Sequence, residues 1–402
     1  MTYEQGVELM LDALKGIHGR FKQLYGQAAM RLDENTYLFT GSNRVLAETS
    51  ESDLVLCDVN TGGLGEILRS CTDIDSVLFG MTQDMVAVSD RDEPLDVTLE
   101  DLAQLTGAKL KVSVDAEPAN IISALEDTTV CLIKGIGGIA AGSNIRKAVA
   151  GIQIVEKACE AEIHGKLLGG TVPIEAELAE RYRKDFETDY VNRNEEKSVP
   201  FVGFEEEVFN LRVQLIETGK ELAKQDLIYG SWGNLSVRIG DDEMLITPSS
   251  MDYFDIKPED IVRLNINTLV YGDQRVPSSE TSMHAAIYRE IPDCGAVIHT
   301  HSNGLAVFAA CEAGFSTGNQ EIKEVIGEML VTEKAEAGTP ELAACVCETM
   351  KKTHNAIIPH HGAVFTGPSL EVTLRIAEAA EIMARNILKF DTGVPQDDEL
   401  AE

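Results

Sequence analysis

Trp232-Gly233-Asn234-Leu235-Ser236-Val237-Arg238 can be laid without gaps on Tyr25-Gly26-Gln27-Ala28-Ala29-Met30-Arg31, and the match continues over 232–269 against 25–62. Nine of the 38 positions are identical, among them Gly26/Gly233, Arg31/Arg238, Thr40/Thr247, Ser42/Ser249, Asp53/Asp260 and Asn60-Thr61/Asn267-Thr268. Apolar positions coincide as well, as with Leu54 and Ile261. Later blocks keep their order, Asp73–Val88 following Asp293–Phe308 and Leu132–Gly142 following Ile357–Gly367. A self-similarity of this length means an internal duplication, so the chain is expected to hold two copies of one fold.

Each copy mixes short strand signals (Val77–Phe79, Val130–Ile133; Met244–Thr247, Ala296–His299, Ala356–Ile358) with longer helical periodicity. The helical stretches are Asn144 to about Leu168, Glu205–Lys224 and Leu370–Lys389. The closely spaced strands point to an α/β architecture whose central sheet is mixed and largely antiparallel, flanked by helices. The expected organisation is a first domain over 1–175, a linker over 176–203 whose first part can form a short helix and whose polar second part ends at Pro200, and a second domain over 204–402.

The 402 residues carry 67 acidic and 34 basic side chains, a formal net charge of −33. Such a surface repels phosphate backbones, which argues against a general nucleic-acid binder. Hydrophobic content of 44% suits globular domains. No stretch approaches the ~18 apolar residues of a membrane span, and Met1-Thr2-Tyr3-Glu4-Gln5 has no secretory pattern. The eight cysteines form no CxxC pair and sit mostly in apolar runs. They read as reduced, buried thiols of a cytoplasmic protein.

Six of the eight histidines lie beyond residue 280, which locates the chemistry in the second copy. Val297-Ile298-His299-Thr300-His301-Ser302 reads as a strand end, and on a strand residues two apart face the same side. Both imidazoles can therefore reach one ion, and Pro359-His360-His361-Gly362 offers a third ligand. Three neutral imidazoles leave an open coordination position, as at a catalytic zinc. Pro277-Ser278-Ser279-Glu280-Thr281 opens a helix, where hydroxyls and free N–H groups suit an anion. A plain capping role is the competing reading of that block.

Taken in order, these blocks resemble the class II aldolase/adducin family of zinc-dependent sugar-phosphate aldolases and epimerases over about 205–390. The motifs are Gly233-Asn234-x-Ser236, Thr247-Pro248-Ser249, Pro277-Ser278-Ser279-Glu280, His299-x-His301, Gly338-Thr339-Pro340-Glu341-Leu342 and His361-Gly362. The resemblance implies zinc held by His299, His301 and His361, with Glu280 as catalytic base. It places Gly233, Asn234, Ser249, Ser250, Ser278 and Ser279 at the substrate's phosphate. His284, one helical turn past Glu280, then reads as a supporting residue. The implied reaction is cleavage of a fuculose-, ribulose- or deoxyribulose-phosphate to dihydroxyacetone phosphate and an aldehyde. A sugar-phosphate 4-epimerase, a methylthioribulose-phosphate dehydratase and a non-catalytic adducin-like scaffold are the alternatives. Family rings of four further imply a homo-oligomer, here two double-length chains in a pseudo-fourfold ring. The chain departs from the pattern at Ser250, where glycine is common, at Glu333-Lys334, and in the tyrosine-free tail 391–402.

In the first copy Phe79, Met81 and Ile136 stand where His299, His301 and His361 would be, and the counterpart of Pro-Ser-Ser-Glu is missing. That copy is expected to be degenerate, and its run Gly135–Gly142 to be a decayed repeat rather than a phosphate loop.

Overall fold

The computed structural model describes residues 1–17, 23–71, 73–190, 205–272 and 275–389. These form two compact units. The first unit has seven strands in one path: β1 (Tyr25–Arg31), β2 (Thr36–Phe39), β3 (Val55–Asp58), β4 (Ser76–Met81), β5 (Val112–Ser113), β6 (Val130–Ile133) and β7 (Gly137–Gly142). The second has β8 (Asn234–Ile239), β9 (Glu243–Ile246), β10 (Val262–Asn265), β11 (Ala296–Thr300), β12 (Leu330–Val331), β13 (Asn355–Ile358) and β14 (Gly362–Gly367). The spatial order is β3-β2-β1-β4-β7-β6-β5 in the first sheet and β10-β9-β8-β11-β14-β13-β12 in the second, so each strand has its counterpart seven labels on. All neighbours on these paths are antiparallel except β5/β6 and β12/β13, which are parallel. The mixed, largely antiparallel sheet is thus present twice.

Shared side-chain bonds show that the duplication reaches atomic detail. Thr40 Oγ1 accepts the Ala28 N–H at 3.0 Å, and Thr247 Oγ1 accepts the Leu235 N–H at 3.2 Å. Arg31 donates to the carbonyls of Leu68 and Ile74; Arg238 donates to those of Tyr288 and Cys294. Asp53 and Asp260 each close a short 3-10 turn by accepting a backbone N–H three residues earlier. The pair Asp53/Asp260 differs by 207 and the pair Leu68/Tyr288 by 220. The 13 residues gained between them (220 − 207) are the segment that carries Pro277-Ser-Ser-Glu280 in the second unit.

Alternation along the strands builds two apolar layers in the second unit. Met244, Ile246 and Val297 point to one side, where helices α1 (Thr281–Glu290) and α2 (Pro340–Met350) pack through Met283, Ile287, Leu342 and Val346. Leu235, Val237, Leu245, Ala296 and Ile298 point to the other, under Leu215, Ile216 and Leu222 of Glu206–Lys224. Full burial of each such side chain contributes roughly 1.5–3 kcal/mol. Because residues two apart share a face, Asn234 and Ser236 lie on the α1 side with Val297 and His299.

The stretch 176–203, expected as a linker, begins with a helix, Ala176–Asp185, which belongs to the first unit. Its Glu180 accepts the Ala108 N–H at 3.0 Å. Residues 191–204 lie outside the described residues. The helical stretches expected to Leu168 and Lys389 end at His164, followed by a 3-10 turn, and at Ile387. Cys131, Cys159, Cys294 and Cys347 are buried free thiols, while Cys57, Cys71, Cys311 and Cys345 are half-buried, so the expectation of general burial holds for half of them. No described helix is long and apolar enough to cross a membrane.

Candidate functional site

His299 sits near the end of β11, and His301 two residues on, just past it. Their Nε2 atoms are 2.9 Å apart. His361 comes from the β13–β14 turn and completes a group whose ligand atoms all lie within 4.8 Å of one another. The three rings are 4.7–4.8 Å apart between centroids, and all three residues are buried. The turn separates the two adjacent histidines. His360 has φ +63, matching Gly135 at φ +67 in the first unit, and its ring turns to Glu312 at 3.2 Å. His361 is left facing the other two.

Glu280 immediately precedes α1, with Oε2 3.2 Å from His299 Nε2 and Oε1 3.3 Å from His361 Nε2. Burial opposes ionisation of this carboxyl, but positive charge on its His299 and His361 side and the hydrogen bond from Asn234 outweigh it, holding Glu280 well below the usual carboxylate range. Burial drives His299 well below its ordinary value, against the pull of Glu280.

The donor set fits a metal ion. His299 Nδ1 lies 3.0 Å from the Ala363 carbonyl, which can only accept, so the proton is on Nδ1 and the Nε2 lone pair faces His301 and Glu280. Lone pairs and a carboxylate brought this close repel one another unless a cation lies among them. The helix after His301, Asn303–Ala310, is anchored by Glu381. Its carboxylate accepts the Gly304 and Leu305 N–H groups at 2.7 and 3.0 Å and the Arg385 Nε–H at 2.6 Å.

The two serine pairs are brought side by side. Pro248 and Pro277 form an antiparallel bridge, with Ser249 N donating to Val276 O and Ser278 N to Thr247 O. Ser249 and Ser278 are buried, Ser250 is half-buried at φ +60, and Ser279 is exposed. Ser278 Oγ accepts the Glu280 N–H at 3.2 Å, so this hydroxyl also turns the chain into the helix. Gly233 has φ +93, and a Cβ there would lie 2.4 Å from Ile228, so the tight entry into β8 requires glycine. Asn234 donates through Nδ2 to Glu280 Oε2 at 2.8 Å and accepts through Oδ1 from His284 Nε2 at 2.6 Å. Its carbonyl and one N–H are therefore committed, and one N–H remains. Lys334 is exposed and pairs with Glu312 at 2.5 Å.

Sequence reasoning placed Ser236 in a motif without giving it a role, and passed over Tyr288. Ser236 Oγ lies 2.7 Å from His284 Nδ1 and 2.8 Å from Tyr288 Oη, all buried. A signal was available, since 234 and 236 share a strand face and 280, 284 and 288 share a helical one.

Burial pushes His284 down to about 4 from 6.5, partly offset by the Glu280 charge. Below 6.5 the unfolded chain gains a proton that the folded chain refuses until about 4, so stability is full above 6.5 and falls as pH drops through that window. The loss from this residue reaches roughly 3 kcal/mol. Urea unfolding from neutral pH down to about 5 is expected to show a smaller loss in His284→Gln than in the unsubstituted chain. Equal losses would contradict a buried neutral imidazole.

The class II aldolase and adducin N-terminal domain family model matches residues 16–163 and 213–388. The chain belongs to this family, and carries its domain twice. Over 175 residues it is 33% identical to a 5-methylthioribulose-1-phosphate/5-deoxyribulose-1-phosphate aldolase of Rhodospirillum rubrum, covering 43% of this chain and 78% of that one. An L-fuculose phosphate aldolase of Haemophilus influenzae is 32% identical over 182 residues, covering 45% and 83%. A solved L-fuculose 1-phosphate aldolase structure is 32% identical with a TM-score of 0.43, covering 48% of this chain and 92% of that one.

Proposed function

We propose that the second unit is a zinc-dependent aldolase cleaving a phosphorylated ketose of the fuculose-, ribulose- or deoxyribulose-phosphate type to dihydroxyacetone phosphate and an aldehyde. The observation that carries this reading is the convergence of His299, His301 and His361 on one point with the Glu280 carboxylate within 3.3 Å of two of them. A zinc ion held by the three imidazoles would supply Lewis acidity for the oxygens on which negative charge develops.

The chain's own groups do the rest. Glu280, ionised and buried, takes the proton released as the C3–C4 bond breaks and returns one to the carbon left with the electron pair. Ser249, Ser250, Ser278 and Ser279, with Gly233 and the remaining N–H of Asn234, hold the phosphate. That grip orients the reacting carbons and uses binding energy remote from the bond that breaks. Hydroxyls and amides suit a chain of net charge −33, which has few cations near these motifs. The first unit offers Phe79, Met81 and Ile136 at the ligand positions and takes no part in the chemistry. We read it as a structural partner in a homo-oligomer.

The test is to incubate the zinc-loaded chain with a panel of ketose 1-phosphates and assay dihydroxyacetone phosphate and aldehyde, with the mass of the same preparation measured in solution. Cleavage of one panel member by an oligomer is expected. Formation of a stereoisomer alone would replace the aldolase with an epimerase, loss of water alone with a dehydratase. A fully active monomer would remove the oligomer.

A further inference from the structure

Behind the base lies a row of buried polar side chains: Tyr288, Ser236, His284 and Asn234, linked at 2.8, 2.7 and 2.6 Å and joined to Glu280 at 2.8 Å. We propose that His284, backed by Ser236 and Tyr288, is a positioning residue that locks the Asn234 amide and through it the Glu280 carboxylate, by a hydrogen-bond chain running in one direction. The proposal rests on the aldolase reading for the role of Glu280 and on geometry for everything else.

The direction follows from which groups can donate. A carboxylate faces Asn234, so the amide must turn its NH2 to Glu280 and its carbonyl to His284. That carbonyl needs a donor, so His284 carries its proton on Nε2. Being neutral, the ring then offers a lone pair at Nδ1 and takes the Ser236 hydroxyl proton. Ser236 has no second proton, so Tyr288 donates to it. Reversing one link would set two acceptors or two donors against each other at under 3 Å. The amide cannot flip while His284 keeps this tautomer.

The first unit shows that the fold does not require this chain. Strand register pairs Gln27 with Phe79 and Ala29 with Val77, where the second unit pairs Asn234 with His299 and Ser236 with Val297. The shared arginine bonds place Leu68 opposite Tyr288, and hence Leu64 opposite His284. Ser236, His284 and Tyr288 are thus replaced by Ala29, Leu64 and Leu68, all packed in or against one apolar cluster. Burying three polar groups where alkyl groups pack equally well is unfavourable without a compensating role. Only the unit with the histidine triad keeps them.

The experiment compares zinc-loaded full-length protein with His284→Leu, which copies Leu64, His284→Gln, which keeps a donor and an acceptor, and Ser236→Ala, which copies Ala29. His284→Leu should lower kcat about 10–100-fold, with a much smaller change in KM and zinc stoichiometry unchanged, and His284→Gln should recover most of that loss. Ser236→Ala, missing only a hydroxyl, gives a smaller drop in kcat and still reports if His284→Leu does not fold. Ring-nitrogen NMR of the unsubstituted protein, with and without zinc, should show His284 as the neutral Nε2–H tautomer. A wild-type kcat in His284→Leu, a Gln variant no better than Leu, or an Nδ1–H tautomer overturns the proposal. If the unsubstituted chain cleaves no ketose phosphate, the function reading falls, and the tautomer decides the chain by itself.

Discussion

Replacing Glu280 by Gln should lower kcat by roughly 10²–10⁴-fold, the usual contribution of a positioned general base. The substitution keeps the shape of the side chain and leaves His299, His301 and His361 in place, so bound metal should stay at the level of the parent protein. KM should change little, because the substitution does not touch the serine hydroxyls proposed to hold the phosphate. Glu280 is also hydrogen-bonded by Asn234 at 2.8 Å, and the amide of Gln can keep that contact through its carbonyl. The loss therefore isolates proton transfer from packing. A variant with full kcat and full metal would remove Glu280 from the chemistry.

The second large effect is at His299. Its ring is fully buried, shares Nε2 contacts with His301 and Glu280, and donates through Nδ1 to Ala363. His299→Ala should lower metal affinity by more than the 10–100-fold that removal of an outer supporting group costs, with activity falling in parallel. It also leaves the Ala363 carbonyl without its donor, a penalty of about 1–3 kcal/mol, so a fall in stability must be told apart from a loss of metal. The molecule suggests the control. Phe79 fills the equivalent place in the first unit, so His299→Phe should fold and still lose the metal. Elemental analysis after dialysis reads the outcome, and parent-level zinc in both variants would contradict the ligand assignment.

Much of this was legible in the residues. Identities at a constant spacing announced two copies, and the 13-residue difference between them already marked the segment with Pro277-Ser278-Ser279-Glu280 that the first copy lacks. The pair His299 and His301 was readable because strand alternation is a local rule. An equally local helical rule marked His284 as a supporting residue, but Tyr288, one turn further on, went unused because a buried polar residue on a helix looks like ordinary core until its partner is known. Asn234 shows the opposite problem. Its motif pointed to the phosphate, whereas in the structure it spends its carbonyl and one N–H on His284 and Glu280. Position in a motif says nothing about which neighbour satisfies an amide's donors and acceptors.

The amino-acid sequence by itself determined that one fold occurs twice, that the histidine-rich motifs belong to the second copy, and that two imidazoles share a strand face. These follow from repetition and backbone period, properties of residues close in the chain. Only the tertiary structure decided that His361 joins His299 and His301 while its left-handed neighbour His360 turns to Glu312. It also decided that residues from β8 and α1, about fifty apart, form one hydrogen-bonded row to Glu280. Strand register and helix packing set those distances, and both are fixed by how distant apolar surfaces are buried against one another.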